Sequence, residues 1–362
     1  MKRKKAQLEV GFNWIYILIA GAVILMFFLG IVIRQKVVSE QKLSATVLQK
    51  IEGIFTGAGL SEKTVNVVEI PELTLVFTCD NETGYSDYAV KGTGVKSETP
   101  WQPVFAPKEV TSKRIVTWTL EWKMPFKVIN YLFISAPNIK YYIFSDEYVL
   151  PEQFNWKDVT NINQINSYDG EDQVRLVFFN QQPEVPRVLE NLPDEKVTAV
   201  DFSGNGITFY QKEKYLGVYR FKQIGEAPLI QSFPLEEEFN NANIFAAILS
   251  TDPEEYKCNL RKGFRRLEIL LDIYQERTEK INDHYRSLPN QATNPDANCG
   301  RIIHEDQFEN MKTLAGDCAQ KVELVCVGIS DECPFGETGP CYGKYVAERN
   351  TVLNNNDCAV IY

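Results

Sequence analysis

WIYILIAGAVILMFFLGIVI, residues 14–33, runs for 20 residues without a charged side chain. A helix of that length is about 30 Å long, the thickness of a bilayer's hydrocarbon core. In that core no water is at hand for the backbone, and a helix satisfies its amides within the segment, which a lone strand cannot do. The run therefore predicts a transmembrane helix, and it sets the plan of everything after it.

The flanks support the same reading. A cleaved secretory signal would have an apolar stretch of about 7 to 15 residues closing on a small-x-small site, whereas this run ends in Ile33-Arg34-Gln35-Lys36. Trp14 and Tyr16 stand where interfacial aromatics belong, and Lys2, Arg3, Lys4 and Lys5 mark the cytoplasmic side. Arg34, Lys36 and Lys42 reduce that contrast without reversing it. All eight cysteines follow the span, as expected for a chain whose bulk lies in an oxidising exterior. The predicted placement is a single-pass membrane protein with its N-terminus cytoplasmic and its mass extracytoplasmic, the bilayer being its first partner.

Roughly 325 residues remain beyond the span, enough for two modest domains. With Lys2 to Lys5, Arg34, Lys36 and Glu9 set aside, 32 basic and 47 acidic residues are left, a net charge near minus fifteen. That balance repels nucleic acid and anionic lipid, and neither is expected as a direct ligand of the outer part.

Six segments are expected: a basic tail (1–13), the span (14–33), a juxtamembrane helix or stalk (34–60), a β-rich domain (61–160), an α/β layer (173–252) and a cysteine-rich helical region (253–362). The fold class is α+β or α/β on a single N-terminal transmembrane helix. In the stalk, Leu43, Val47, Leu48, Ile51, Ile54 and Phe55 fall at helical spacing, giving a stripe that packs on the head or joins copies to one another, and Gly57-Ala58-Gly59 stops it. Strands are expected at 64–70, 73–79, 114–122, 128–135 and 140–145, where β-branched and aromatic residues concentrate. Residues 161–172 (NINQINSYDGED) read as a linker or long loop. Beyond it come strands at 174–180, 197–202, 207–210 and 243–250, and a short helix at 184–191. The continuous apolar runs VRLVFF and NIFAAILS suggest strands covered on both faces, as in an α/β layer, with an all-β arrangement the open alternative. Residues 201–206 make a tight connection with no helix behind it, so they cannot act as a phosphate loop.

Thr251-Asp252-Pro253-Glu254-Glu255 is a helix start, with a capping side chain, a first-turn proline and acids at the positive end of the dipole. The helix should run to about Ile281. Its stripe of Leu260, Phe264, Leu267, Leu271 and Tyr274 is either core or a docking seam. Two or three short helices close the chain.

Cys258, Cys299, Cys318, Cys326, Cys333, Cys341 and Cys358 crowd the last third, while Cys79 ends a strand. No C-x-x-C is present, so disulfides are expected in place of zinc. Seven cannot all pair among themselves, so Cys79 joins one of them across the chain or stays free. The tail from Cys318 to Cys358 should hold an internal bridge, and Cys258 should tie the long helix to Cys299 or Cys318. His284 and His304 sit in no metal motif, and neither a G-x-S-x-G elbow nor a P-loop occurs. Glu171-Asp172 and Glu236-Glu237-Glu238 read as surface. Asn81-Glu82-Thr83 fits the N-glycosylation pattern.

Phe105-Ala106-Pro107, Trp118, Trp122, Pro125-Phe126, Asn130-Tyr131-Leu132 and Ser135-Ala136-Pro137, about a tenth of the chain, resemble a pattern shared by single-span archaeal membrane proteins, with a tail similar in style at Cys358 to Tyr362. The resemblance implies no activity. Lys5-Ala6-Gln7 ahead of the apolar helix, with Glu9 following, resembles the processing site of archaeal pilin-like precursors. It departs from that pattern in lacking the usual serine, in placing Glu9 two residues after Gln7, and in the interruption at Asn13. The expected function is a membrane-anchored extracytoplasmic binding or scaffolding protein, with no catalytic motif and no cofactor or metal. Its expected partners beyond lipid are a protein, or further copies docking through helices. The alternatives are a pilin-like filament subunit and an extracytoplasmic enzyme of unknown class.

Overall fold

The structure, a computed structural model, describes residues 3–58, 61, 63–80, 84–99, 101–145, 148–204, 206–230, 241–288, 299, 305–329 and 341–362. The apolar run lies inside one helix, α1 (Arg3–Ala58), which continues through the charged flank without a break. This helix is long and apolar enough to cross a membrane, and its most apolar window is not buried against the rest of the protein. Its second half differs, because Ser44, Val47, Leu48 and Ile51 are buried at steps of one turn. Part of the stalk stripe is thus packed on the head. Leu43 is not, being exposed.

Twelve strands follow among the described residues: β1 (Val65–Cys79), β2 (Ser86–Val90), β3 (Lys96–Thr99), β4 (Val104–Phe105), β5 (Glu109–Lys123), β6 (Lys127–Ser135), β7 (Ile139–Ile143), β8 (Trp156–Asp158), β9 (Gln173–Phe179), β10 (Val197–Ser203), β11 (Gly206–Tyr215) and β12 (Val218–Pro228). They form two six-stranded sheets, ordered β3-β2-β1-β5-β6-β4 and β12-β11-β10-β9-β7-β8. The first is antiparallel apart from the short β4–β6 pair. In the second, β7, β8, β9 and β10 run parallel and the β10-β11-β12 edge is antiparallel. The two strands expected at 64–70 and 73–79 are one long strand with a register shift between Glu69 and Leu73. The chain passes from one sheet to the other between β6 and β7. Residues 161–172 are therefore a loop inside the second sheet, between β8 and β9, and do not divide the layers.

α2 (Ala242–Leu249) corrects the strand expected at 243–250. All eight of its residues are buried, so the run shows no apolar-polar alternation from which a period could be read. It packs between neighbours that accept any apolar face, with Phe245 edge-on to Trp118 at 4.8 Å. The helix expected at 184–191 is only a 3-10 turn at Arg187–Leu189, in a stretch where Pro183, Pro186 and Pro193 limit helical hydrogen bonding.

α3 (Pro253–Ser287) starts where its capping signals place it, with Asp252 accepting from the amides of Glu254 and Glu255. Leu260, Phe264, Leu267 and Leu271 are fully buried, so this stripe is core. Gly263 lets the helix sit against β5 and β6: a Cβ there would meet the Trp122 ring at 2.9 Å. Trp122 in turn stacks on Tyr131 and meets Phe264 edge-on. α4 (Glu305–Gln320) lies along α3, and α5 (Tyr342–Asn355) closes the chain.

Candidate functional site

The cysteines show where the helical region is fastened. Cys79 pairs with Cys258, Cys299 with Cys358, and Cys318 with Cys326, at Cα separations of 6.0, 5.7 and 5.9 Å, within the range that bridges require. Cys341 is also disulfide-bonded, while Cys333 lies outside the described residues. The tail holds its internal bridge, Cys318–Cys326. Cys258, however, does not reach Cys299 or Cys318. At the second turn of α3 it faces the end of β1, and the partner 179 residues earlier is nearer in space than either later cysteine.

That bridge borders a buried polar cluster. Ser86 is the register partner of Cys79, and Asn259 and Lys262 lie one and four residues beyond Cys258 on α3. Lys262 Nζ donates to Ser86 Oγ at 2.5 Å, to the Thr99 carbonyl at 2.9 Å and to the Gln102 carbonyl at 3.2 Å. Ser86 Oγ donates to Asn259 Oδ1 at 2.8 Å, which also accepts from the Val104 amide at 3.0 Å. Burial pulls the Lys262 ammonium down to about 7. Glu255, two turns before Lys262, is pushed up to about 8 by burial and by the nearby Asp252 carboxylate. Serine beside a lysine of lowered pKa is the composition of a nucleophile and its base.

The arrangement opposes that chemistry. All three ammonium protons point at acceptors, the serine proton points at Asn259 and away from the lysine, and the adjoining cavity is about 10 Å³, room for about one water. The cluster is a lock that holds α3 onto β2, the β3–β4 connection and β4. No family model, curated protein or solved structure matches this chain. Its function must be argued from its own surfaces.

Among the described residues lie two larger open concavities. One, of about 470 Å³, runs along the distal half of α3 between Ile273, Arg277, Lys280, Ile281, His284, Tyr285 and the tail residue Ala359. The other, of about 870 Å³, lies between the base of the β11–β12 hairpin and the loop closed by Cys318–Cys326, where Leu324 and Val325 are exposed. Among the described residues no group of three His, Cys, Asp or Glu side chains is placed to hold a metal ion. His284 stands in the first concavity with Arg277 and the Lys280–Glu276 ion pair, and His304, Asn81 and Glu236 to Glu238 lie outside the described residues. Glu171, read as surface, is buried and accepts from the Asp169 amide, while Asp172 accepts from Asn138.

Besides Lys262, two further buried cations escaped the sequence reading. The Arg175 guanidinium on β9 donates to the carbonyls of Ala247, Ile248 and Ser250, which close α2, and burial lowers it to about 9. Lys212 on β11 gathers the carbonyls of Leu189, Glu190 and Leu192. A single Arg or Lys in an alternating strand gives no sign of burial, because its neighbours predict only which face it is on. The lone hint was VRLVFF, where Arg175 interrupts an otherwise apolar run.

Proposed function

We propose that the chain is a membrane-anchored extracytoplasmic binding or scaffolding protein. The observation that carries this reading is the division of α1: its apolar run from Trp14 to Ile33 is exposed, and from Ser44 to Ile51 one face is buried against the head. Bare Leu, Ile, Val and Phe over some 30 Å must leave water, and a bilayer takes them at no cost in backbone hydrogen bonds. The disulfides support an oxidising compartment for the head. The saturated Ser86–Lys262 cluster and the absence of a catalytic motif favour binding over turnover. Alkaline extraction tests the anchor, which should keep the chain in the membrane pellet. Protease added to intact cells tests orientation, since it should cut the head and spare the Lys2–Lys5 tail.

The same division of α1 favours one second reading. Copies of the bare half can bury one another, so a pilin-like filament subunit also satisfies the helix. Sheared filaments containing the chain would favour the filament, and full retention in washed membranes would favour the anchor.

A further inference from the structure

The β11–β12 hairpin ends in Tyr215-Leu216-Gly217-Val218, and its tip residues Tyr215, Leu216 and Val218 are 51, 88 and 68 % exposed. The turn places Leu216 at φ 49° and Gly217 at φ 86°. Two-residue turns of this kind select Asn or Asp before Gly, because a left-handed backbone crowds a Cβ. Leucine at that position is both strained and exposed, so local folding does not account for it.

Charge at the tip runs against the rest of the head. Between residues 213 and 222 stand Lys214, Arg220 and Lys222 against Glu213, a net charge of plus two on a head near minus fifteen. The Arg220 guanidinium lies 4.0 Å over the Tyr215 ring, and the Lys214 ammonium 4.9 Å over Tyr219. Glu213 bridges Arg220 and Lys222 on one side of the hairpin. The outcome is an apolar point inside a basic collar.

Contacts across the head give the direction of that point. Leaving the apolar run, α1 meets the head at Gln41, whose amide donates to the Thr93 carbonyl, and at buried Ser44. Gln41 is eight residues past Ile33, about 12 Å along a helix. Thr93 follows Val90, which pairs with Leu75; the next β1 residue, Val76, pairs with Glu109. The Glu109 carbonyl accepts from Gln173, the first residue of β9. β10 runs parallel to β9, and β11 runs back along β10 past the start of β9 to the tip. These contacts put the start of β9, past which the hairpin projects, near the point where α1 first meets the head.

We propose that this hairpin tip is a second membrane contact, inserting Tyr215, Leu216 and Val218 into the interface of the bilayer that α1 crosses while Lys214, Arg220 and Lys222 meet anionic headgroups. The proposal rests on the anchored reading. An apolar tip gains from the interfacial region, and a basic collar gains near an anionic surface. With α1 fixing one point and the hairpin a second, the underside of the head is held against the membrane.

The test uses the full chain reconstituted into vesicles of phosphatidylcholine alone, or of phosphatidylcholine with phosphatidylglycerol, with and without brominated acyl chains. Leu216→Trp should show blue-shifted emission and added quenching by brominated lipid, beyond that of the unaltered chain, in the phosphatidylglycerol vesicles. That excess should fall by roughly fivefold or more when Lys214 and Lys222 are changed to Glu. No excess quenching in phosphatidylglycerol vesicles, or an equal excess in neutral vesicles, overturns the proposal. Alkaline washing of the same vesicles reports on the anchor alone: loss of the chain from the pellet defeats the anchored reading, while retention without excess quenching defeats only the hairpin contact.

Discussion

Lys262 and Glu255 set the chemistry of the α3 lock at the residue scale. Replacing Lys262 with Met leaves Ser86 Oγ and the carbonyls of Thr99 and Gln102 short of a donor, at an expected cost of about 2 to 4 kcal/mol in denaturant unfolding. The two groups also give opposite pH dependences. Between pH 4.5 and about 8 folded Glu255 keeps a proton that the unfolded chain has lost, so its contribution is present at low pH and fades as pH rises through that window. Between about 7 and 10.5 the folded chain has released the Lys262 proton while the unfolded chain holds it, so stability rises with pH there. Urea midpoints measured across pH should lose the first slope in Glu255→Gln and the second in Lys262→Met. Neither group was legible in the sequence. The stripe from Leu260 to Leu271 located the buried face of α3, but Lys262 and Asn259 flank that stripe, and spacing alone assigns flanks to water. Only the fold shows that β2 and the β3–β4 connection close over them.

Elements were legible where composition carried a period or a cap, and illegible where it did not. The start of α3 followed from Asp252-Pro253 and its stripe, and β5, β6, β9 and β10 from dense β-branched and aromatic residues. α2 was misread because eight buried residues in a row carry no alternation, β3 and β12 were missed because edge strands keep polar residues on an exposed face, and β2 because it is only five residues long and opens with Ser86-Asp87. α2 depends on a residue far from it in sequence. Arg175→Met should uncap its last carbonyls and cost about 3 kcal/mol, read as a lower urea midpoint and faster amide exchange in residues 242–250. The β11–β12 turn should respond in the opposite sense. Leu216→Asn relieves the left-handed leucine and should stabilise the head by about 1 kcal/mol, read as a higher unfolding midpoint in detergent, where no bilayer competes for the side chain.

Across the whole molecule, the sequence announced an apolar helix, a β-rich middle and a bridged helical tail, and the structure joins them through α1 and the Cys79–Cys258 bridge. The division into a β-rich domain and a separate α/β layer was less legible, because β7 and β8 cross into the second sheet and strand pairing is a long-range choice that local composition does not record. Removal of residues 1–33 should yield a head that stays in solution after ultracentrifugation, since Val47, Leu48 and Ile51 remain to cover the first sheet. Changing both Val47 and Ile51 to Ala should cost that head about 3 to 5 kcal/mol, with proteolysis beginning in the loosened helix.

From Ile33 to Val47, α1 has neither proline nor glycine, so nothing between the apolar run and the head serves as a joint. A spanning helix leans further as the bilayer thins. Because the same rod packs on the first sheet, an anchored chain would carry that lean into the head, and the hairpin contact proposed above would set how far the head can turn.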